Sequence, residues 1–412
     1  MRERSLVPPT DWPRRSWSFA ALLAGLAMLG TFSVDMYLPA FPAMGRDLAA
    51  PPLALQQTLS IYLFAYAFMM LWHGALSDAC GRRPIVLAGL VVYAVGTLGC
   101  AMAGNIESLW LFRAVQGLSS GAGLVVGRAI IRDRFHGAEA QRLMSQITMV
   151  FAVAPALAPL IGGGLLNTLG WRSIFWVLLV VVGGLYAWAN RSLPETLPAA
   201  ARQTLRPGAL WRNYRQVLTH SDFLLLASIA ALNFAAFFIY IAAAPAFLIG
   251  LLGVTTWGFA WLFVPMISGV MIGAFISGRL AGRRSPQGTI RLGYAVAFSG
   301  VVLNLLICAL LPPAPIWNVL PIMLFTMGSS AIMPSVTLLL LDAFPTMRGL
   351  ASSLQGFVQF ALAAFNAGTI APLLATSLMT LASGMAAFTI ASFACWLLYQ
   401  RSARLHLEGW NP

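Results

Sequence analysis

The 412-residue sequence contains no lysine, and charged side chains make up only 9% of it, where a soluble domain is about a quarter charged. Without lysine there is no Schiff-base chemistry. Cysteine is almost as scarce: Cys80, Cys100, Cys308 and Cys395 stand singly. They form no C-x-x-C pair and have no flanking histidine at ligand spacing, which excludes a disulfide framework and a thiolate metal site and leaves packing thiols. No G-x-x-x-x-G-K-[ST] occurs, so ATP is not the energy source by that route. His/Glu metal clusters, a nucleophile elbow and paired catalytic carboxylates are also missing, which argues against a membrane-embedded enzyme. The net charge of +13 comes from short arginine clusters between apolar runs. That pattern is no continuous basic patch and excludes nucleic acid as a partner.

Hydrophobic residues account for 59% of the chain, with a mean hydropathy of +0.81. This composition belongs to a polytopic membrane protein whose first partner is the lipid bilayer. Spans of about 20 apolar residues are predicted at 17–38, 54–76, 84–103, 107–130, 142–167, 172–190, 222–249, 256–278, 288–310, 316–341, 349–375 and 379–400. The basic start, Arg2 to Arg15, resembles a signal peptide. The run that follows is long enough to span and lacks a clean A-x-A site, so it reads as an uncleaved first helix.

Of the 25 arginines, Arg46 and Arg172 fall on one side and Arg113 and Arg128 within the fourth span. All the others collect on the opposite side, together with both termini, which makes that side cytoplasmic. The expected fold is therefore all-α, with twelve transmembrane helices. It divides into an N-terminal six-helix half (residues 1–190), a proline-bearing cytoplasmic linker (191–221) and a C-terminal six-helix half (222–412). Two similar loops, "GALSDACGRRP" from Gly74 and "GRLAGRRSP" from Gly278, sit about half a chain apart and support an internal duplication. Two repeats around a central site are the architecture of alternating access.

The candidate functional residues are the polar ones inside these spans, where an ionisable group is expensive and functional by default. Asp35 in "TFSVDMYLPAF" and Arg113 in "RAVQGLSSGAG" are read at similar shallow depths, roughly 5 and 9 Å from the outer ends of their helices at 1.5 Å per residue. A direct or water-bridged pair is expected, whose rearrangement would couple to a proton. The alternative is that Asp35 only caps a helix end before Pro39. Helical spacing places Tyr62, Tyr66 and His73 on one face with Met69 and Met70, and Arg113 with Gln116, Gly117 and Ser120. It likewise groups Asn233, Phe237 and Tyr240, and Gln355, Gln359 and Asn366. Tyr62, Tyr66, Gln116, Asn233, Tyr240 and Gln359 are the candidates for binding a partly apolar substrate. His73 is read as an interfacial histidine at the cytoplasmic helix end. Gly74, Asp78, Gly81, Arg82 and Arg83 form a candidate latch, and Pro155, Pro159, Gly162 and Gly163 a kinked, closely packed fifth helix.

"GALSDACGRRP" resembles the G-x-L-x-D-x-x-G-R-[RK] loop of the major facilitator superfamily, and the resemblance extends along the chain. "RAVQGLSSGAG" is similar to that superfamily's fourth-helix motif, whose arginine is linked to proton transfer. "APALAPLIGGGLL" is similar to its antiporter motif, with Ala154 where the family has glycine. "VDMYLPAFP", "RAIIRD", "APALAPLIGG" with "GWRSIFW", "LPETL" and "YIAAAPAFL" resemble the Bcr/CflA drug:proton antiporters. The resemblance implies export of small drugs (bicyclomycin, chloramphenicol, sulfonamides) driven by the proton gradient, with no cofactor, by a monomer in a bacterial inner membrane. Proton-coupled transport of a metabolite or amino acid is the alternative.

Overall fold

A computed structural model describes residues 16–408 with the exception of 136, 203, 205, 206 and 346. Arg2, Arg4, Arg14, Arg15 and Arg206, which contribute to the orientation, lie outside the described residues. Twelve long helical segments are present, and among the described residues there is no β-strand. The helices are α1 Ser16–Asp35, α2 Pro52–Cys80, α3 Arg82–Met102, α4 Ile106–Ser120 with its continuation Ala122–Arg134, α5 Gly137–Leu169 and α6 Arg172–Ser192. The second six are α7 Ser221–Ala242, α8 Ala260–Leu280, α9 Pro286–Leu310, α10 Pro315–Ala343, α11 Arg348–Phe365 and α12 Leu378–Glu408. Among the described residues, eleven stretches are long and apolar enough to cross a membrane, and Val153–Leu169 of α5 is a shorter apolar helix. The linker is not featureless, since it carries the helix Pro207–Leu218.

Local chemistry sets the boundaries. Pro52, Pro286 and Pro315 open α2, α9 and α10, where a missing N–H costs nothing. Asn105 caps α4 by accepting from the Ser108 amide at 2.8 Å. Gly81, at φ +103°, turns the chain from α2 into α3.

The first span differs from its predicted limits. After α1 the chain makes a 3-10 turn, Leu38–Ala40, and a short helix, Phe41–Asp47, each with a proline in its first two positions. The apolar span therefore runs on to Asp47. Pro39 and Pro42 start new helical segments rather than ending the membrane crossing. Asp35 sits at the break in this span and not near its outer end, which corrects the shallow depth read from the sequence.

Packing distinguishes the two ends of the bundle. At one end a single apolar core draws on both halves, from Tyr37, Leu38 and Met44 to Phe247, Phe259 and Phe325. Toward the other end it separates into a core of the N-terminal half, around Leu23, Val86 and Val182, and one of the C-terminal half, around Phe223, Ile332 and Trp396. The halves meet mainly through α2 on α11 and α5 on α8.

Candidate functional site

Arg113 is wholly buried on α4. Its guanidinium carbon lies 4.3 Å from the centre of the Tyr37 ring and 4.2 Å from that of Tyr62, a cation held between two aromatic faces. Nη1 donates to the Ser33 carbonyl at 2.9 Å and to Gln116 Oε1 at 2.5 Å. Gln116 in turn donates to Thr97 Oγ1 at 2.9 Å. The Tyr62 hydroxyl reaches the Gly30 carbonyl at 3.1 Å and Ser120 Oγ at 2.8 Å, while the Ser33 and Tyr93 hydroxyls lie 2.5 Å apart. Four helices of the N-terminal half thus converge on one cation.

That cation is incompletely satisfied. Nε and Nη2 of Arg113 are buried without a hydrogen-bond partner, and no carboxylate lies within 4 Å of it among the described residues. Asp35 is also buried, 4% exposed, two residues beyond the carbonyl that Arg113 grips. It makes no hydrogen bond or ion pair with any described residue. The direct pair expected from the sequence is therefore absent from this conformation. An unpaired buried charge costs roughly several kcal/mol, a cost that a carboxylate brought to the free nitrogens of Arg113 would relieve.

The helix-five motif bears on the same place. A Cβ on Gly162 would stand 1.8 Å from the Met36 carbonyl oxygen, so α5 lies against the backbone of α1 one residue after Asp35. Only glycine permits that approach. Gly163 is buried beside it, its carbonyl accepting from Asn167 at 2.7 Å. Pro155 and Pro159 lie within α5, which continues through both.

The predicted substrate residues divide. Tyr62 and Gln116 are brought to Arg113. Tyr66 is buried where the halves meet, its ring 4.8 Å from that of Phe360 on α11, with half-buried Gln359 next in sequence to that ring. Asn233 and Tyr240 are not brought to these groups. Asn233 donates to Ser392 Oγ at 2.7 Å and to the Tyr294 hydroxyl at 3.3 Å. Tyr240 accepts from Asn304 at 2.7 Å. Both side chains bind α7 to other helices of its own half, a use that helical periodicity does not distinguish from lining a cavity.

The loop from Gly74 to Arg83 is a knot of charge. Arg82 donates to Asp78 at 2.5 Å, to Ser77 at 2.6 Å and to Asp133 on α4 at 2.9 Å. Arg83 holds the carbonyl and side chain of Asn190 at 2.8 and 2.9 Å. Glu195 was not singled out in the sequence, yet it accepts the Arg82 and Arg83 amides at 3.0 and 3.3 Å, placing a carboxylate on the N-terminus of α3. A Cβ on Gly81 would meet Glu195 Oε2 at 2.3 Å. A Cβ at Gly74 would meet nothing within 4 Å, so this glycine is not needed for close packing here. The contacts tie α2, α3, α4, α6 and the start of the linker together and include no residue of the C-terminal half.

A seam that the sequence did not reveal joins the halves at the shared core. From α2, Gln56 donates to the Ala242 carbonyl at 2.6 Å, Gln57 to Gly368 at 2.8 Å and Ser60 to Ala364 at 2.8 Å. Gly368 belongs to a π-helical stretch, Asn366–Ile370, that continues α11. Such stretches displace the regular ladder and occur often at functional sites.

Residues 23–368 match the Major Facilitator Superfamily. The chain is 31% identical over 362 residues to the bicyclomycin resistance protein homolog of Haemophilus influenzae, covering 87% of this chain and 90% of that one. It is 29% identical over 399 residues to multidrug resistance protein D of Escherichia coli, with 93% and 96% covered. A chloramphenicol resistance protein of Pseudomonas aeruginosa is 31% identical, over 70% of this chain and 69% of that one. Among solved structures, a bacterial homologue of the human lysosomal transporter Spinster, in an inward-facing and unoccupied conformation, superposes with a TM-score of 0.72 at 16% identity, over 96% of this chain and 99% of that one. The all-helical fold with its long apolar helices agrees with these matches: the chain belongs to the Major Facilitator Superfamily.

Proposed function

We propose that the protein is a proton-coupled antiporter that exports small, partly apolar drugs from a bacterial cytoplasm, with Asp35 as the proton carrier and Arg113 as its electrostatic partner. The observation that carries this reading is a pair of buried, separated ionisable groups: an arginine whose Nε and Nη2 have no hydrogen-bond partner, and beside its carbonyl ligand an acid that bonds to no described residue. A neutral carboxyl tolerates such a site, whereas a carboxylate needs donors. Loss of the proton would therefore draw Asp35 toward the free Nε and Nη2 of Arg113. The break after α1 gives it a place to move, and Gly162 transmits the displacement to α5. The names of the relatives, which refer to bicyclomycin, chloramphenicol and multidrug resistance, support drugs as the cargo.

The arginine-rich loops put the ends where the core divides, and both termini, on the cytoplasmic side. The packed end with its α2–α11 seam is then the outer gate, and the conformation faces inward, as loading of a cytoplasmic drug requires. Tyr66 and Gln359, near Phe360 at the junction of the halves, are the residues best placed to meet that drug. The transporter works as a monomer in the inner membrane, with the proton gradient in the place of a cofactor.

The test is a panel of chloramphenicol, bicyclomycin and a sulfonamide on an efflux-deficient host expressing wild type or Asp35→Asn, with drug-induced proton release followed in everted vesicles. Wild type should raise resistance and release protons, and Asp35→Asn should do neither. A wild-type protein that confers no resistance and moves no protons overturns the export reading. Full proton coupling in Asp35→Asn overturns the carrier assignment alone.

A further inference from the structure

The helical ladder of α4 is interrupted at Gly121, between Ser120 and Ala122. An interruption inside a bundle releases backbone acceptors that need other donors. The Leu118 carbonyl, whose helical donor would be the Ala122 amide, faces the imidazole of His73 on α2. His73 is only 3% exposed, packed between helices rather than open to solvent. Its Nδ1 is buried without a hydrogen-bond partner, and a Cβ on Gly121 would stand 3.5 Å from that nitrogen.

An orphaned buried nitrogen costs about 1–3 kcal/mol, and an apolar side chain of similar size would fill the space without that cost. What imidazole adds is a lone pair that can take a proton once water reaches it. The surroundings bring no countercharge. None of the ion pairs among the described residues includes His73. From α4 it meets a carbonyl and a glycine. On α2 the titratable groups flanking it along the chain are Tyr66, whose ring lies 3.3 Å from the same Cβ position at Gly121, and Asp78, which is paired with Arg82. From the linker helix the Tyr214 hydroxyl donates to the Leu71 carbonyl of α2 at 2.7 Å. Arg128, farther along α4, is exposed, and α11 approaches α2 here with Gly356 against Met70. A line of polar contacts also leads toward the ring from Arg113, through the Tyr62 ring and the Tyr62 hydroxyl to Ser120, the residue before the break.

We propose that His73 is a second proton-binding site of this transporter: Nδ1 takes the proton while the other ring nitrogen keeps its hydrogen on the Leu118 carbonyl. The charged ring then has one donor without an acceptor, which only water entering at the Gly121 break can satisfy. Protonation is thereby coupled to opening of the α2–α4 contact on the side of Arg113 away from Asp35. The inference rests on the proton-antiport reading, so its test begins with a measurement that needs no transport.

The chain has four histidines. Full-length protein carrying His136→Gln, His220→Gln and His406→Gln retains His73 alone. Labelled with 15N-imidazole, it reports protonation directly between about pH 4 and about pH 8, the range that brackets an ordinary imidazole. A single protonation step is expected, and a ring that stays neutral throughout overturns the proposal. In a second arm, otherwise wild-type protein and His73→Gln, which keeps a hydrogen-bonding side chain without the titration, are compared for protons released per chloramphenicol bound. The variant should release fewer, and an unchanged yield also overturns the site. If wild type releases no protons while His73 still titrates, the antiport reading fails and the protonation site stands.

Discussion

The seam between α2 and α11 can be opened without touching the charged centre. Gln56, Gln57 and Ser60 each spend a side-chain donor on a backbone carbonyl of the opposite half, at 2.6, 2.8 and 2.8 Å. A hydrogen bond of this kind contributes about 0.5–1.5 kcal/mol net. When the seam parts, water can satisfy both partners, so removal should bias the equilibrium without penalising the open state. Replacing all three residues by alanine then weakens the closed state by about 3 kcal/mol, which raises the open-to-closed ratio on the order of a hundredfold. Gly368→Ala should act in the same direction by wedging, since its Cβ would meet Ser60 Oγ at 2.5 Å. The assay is a spin-label distance between cysteines at exposed Leu53 and Leu373, which flank the seam on the two halves, in a cysteine-free background. Wild type should give one short distance, and the triple variant and Gly368→Ala a second, longer population. If neither variant changes the distribution while both fold normally, these bonds do not hold the gate and apolar packing closes it alone.

Other perturbations address the charged groups. Gly162→Ala forces a methyl into a space 1.8 Å from the Met36 carbonyl, an overpacking that typically costs about 1–3 kcal/mol, and should lower both the melting temperature and transport. Tyr62→Leu removes one of the two rings around Arg113 and should cost about 2 kcal/mol of desolvated cation–π contact, whereas Tyr62→Phe keeps the ring and loses only the hydroxyl bonds. Thermal unfolding in detergent should rank wild type above Phe above Leu, and equal losses would mean that the ring is not what holds the cation. Gly81→Ala must move Glu195 and adopt φ +103° with a side chain. Proteolysis of the linker should speed up in this variant and in Glu195→Gln, and unchanged rates would show that the linker start is not anchored on α3.

How much of this was legible in the sequence depended on how much chain each signal averages over. Twelve spans emerged because hydropathy sums over about 20 residues. The loop around Arg82 emerged because its residues are contiguous. The end of the first span did not, because Pro39 and Pro42 read as stops, whereas each sits in the first two positions of a new helical segment that prolongs the crossing. The seam was invisible for a different reason: its acceptors are backbone carbonyls, which have no sequence letter, and its donors are ordinary glutamines and a serine. Asn233 and Tyr240 were misgrouped because periodicity states which residues share a face and not whether that face meets a cavity or another helix.

The misplaced end of the first span alters the argument about Asp35 itself. A carboxyl three residues from a helix end could be satisfied by interfacial water in every conformation, and its titration would then report little about the state of the bundle. At a break inside a 30-residue span, Ser18–Asp47, the residue is only 4% exposed, so the water that reaches it depends on how closely the surrounding helices pack. The adjacent backbone is pinned on two sides, at Ser33 by Arg113 and at Met36 by the close approach of Gly162. Any movement that carries Asp35 to the free nitrogens of Arg113 must therefore shift α4 or α5 with it. The same burial that makes the charge costly makes its proton a mechanical variable, and an acid placed shallower would bind protons without moving the halves.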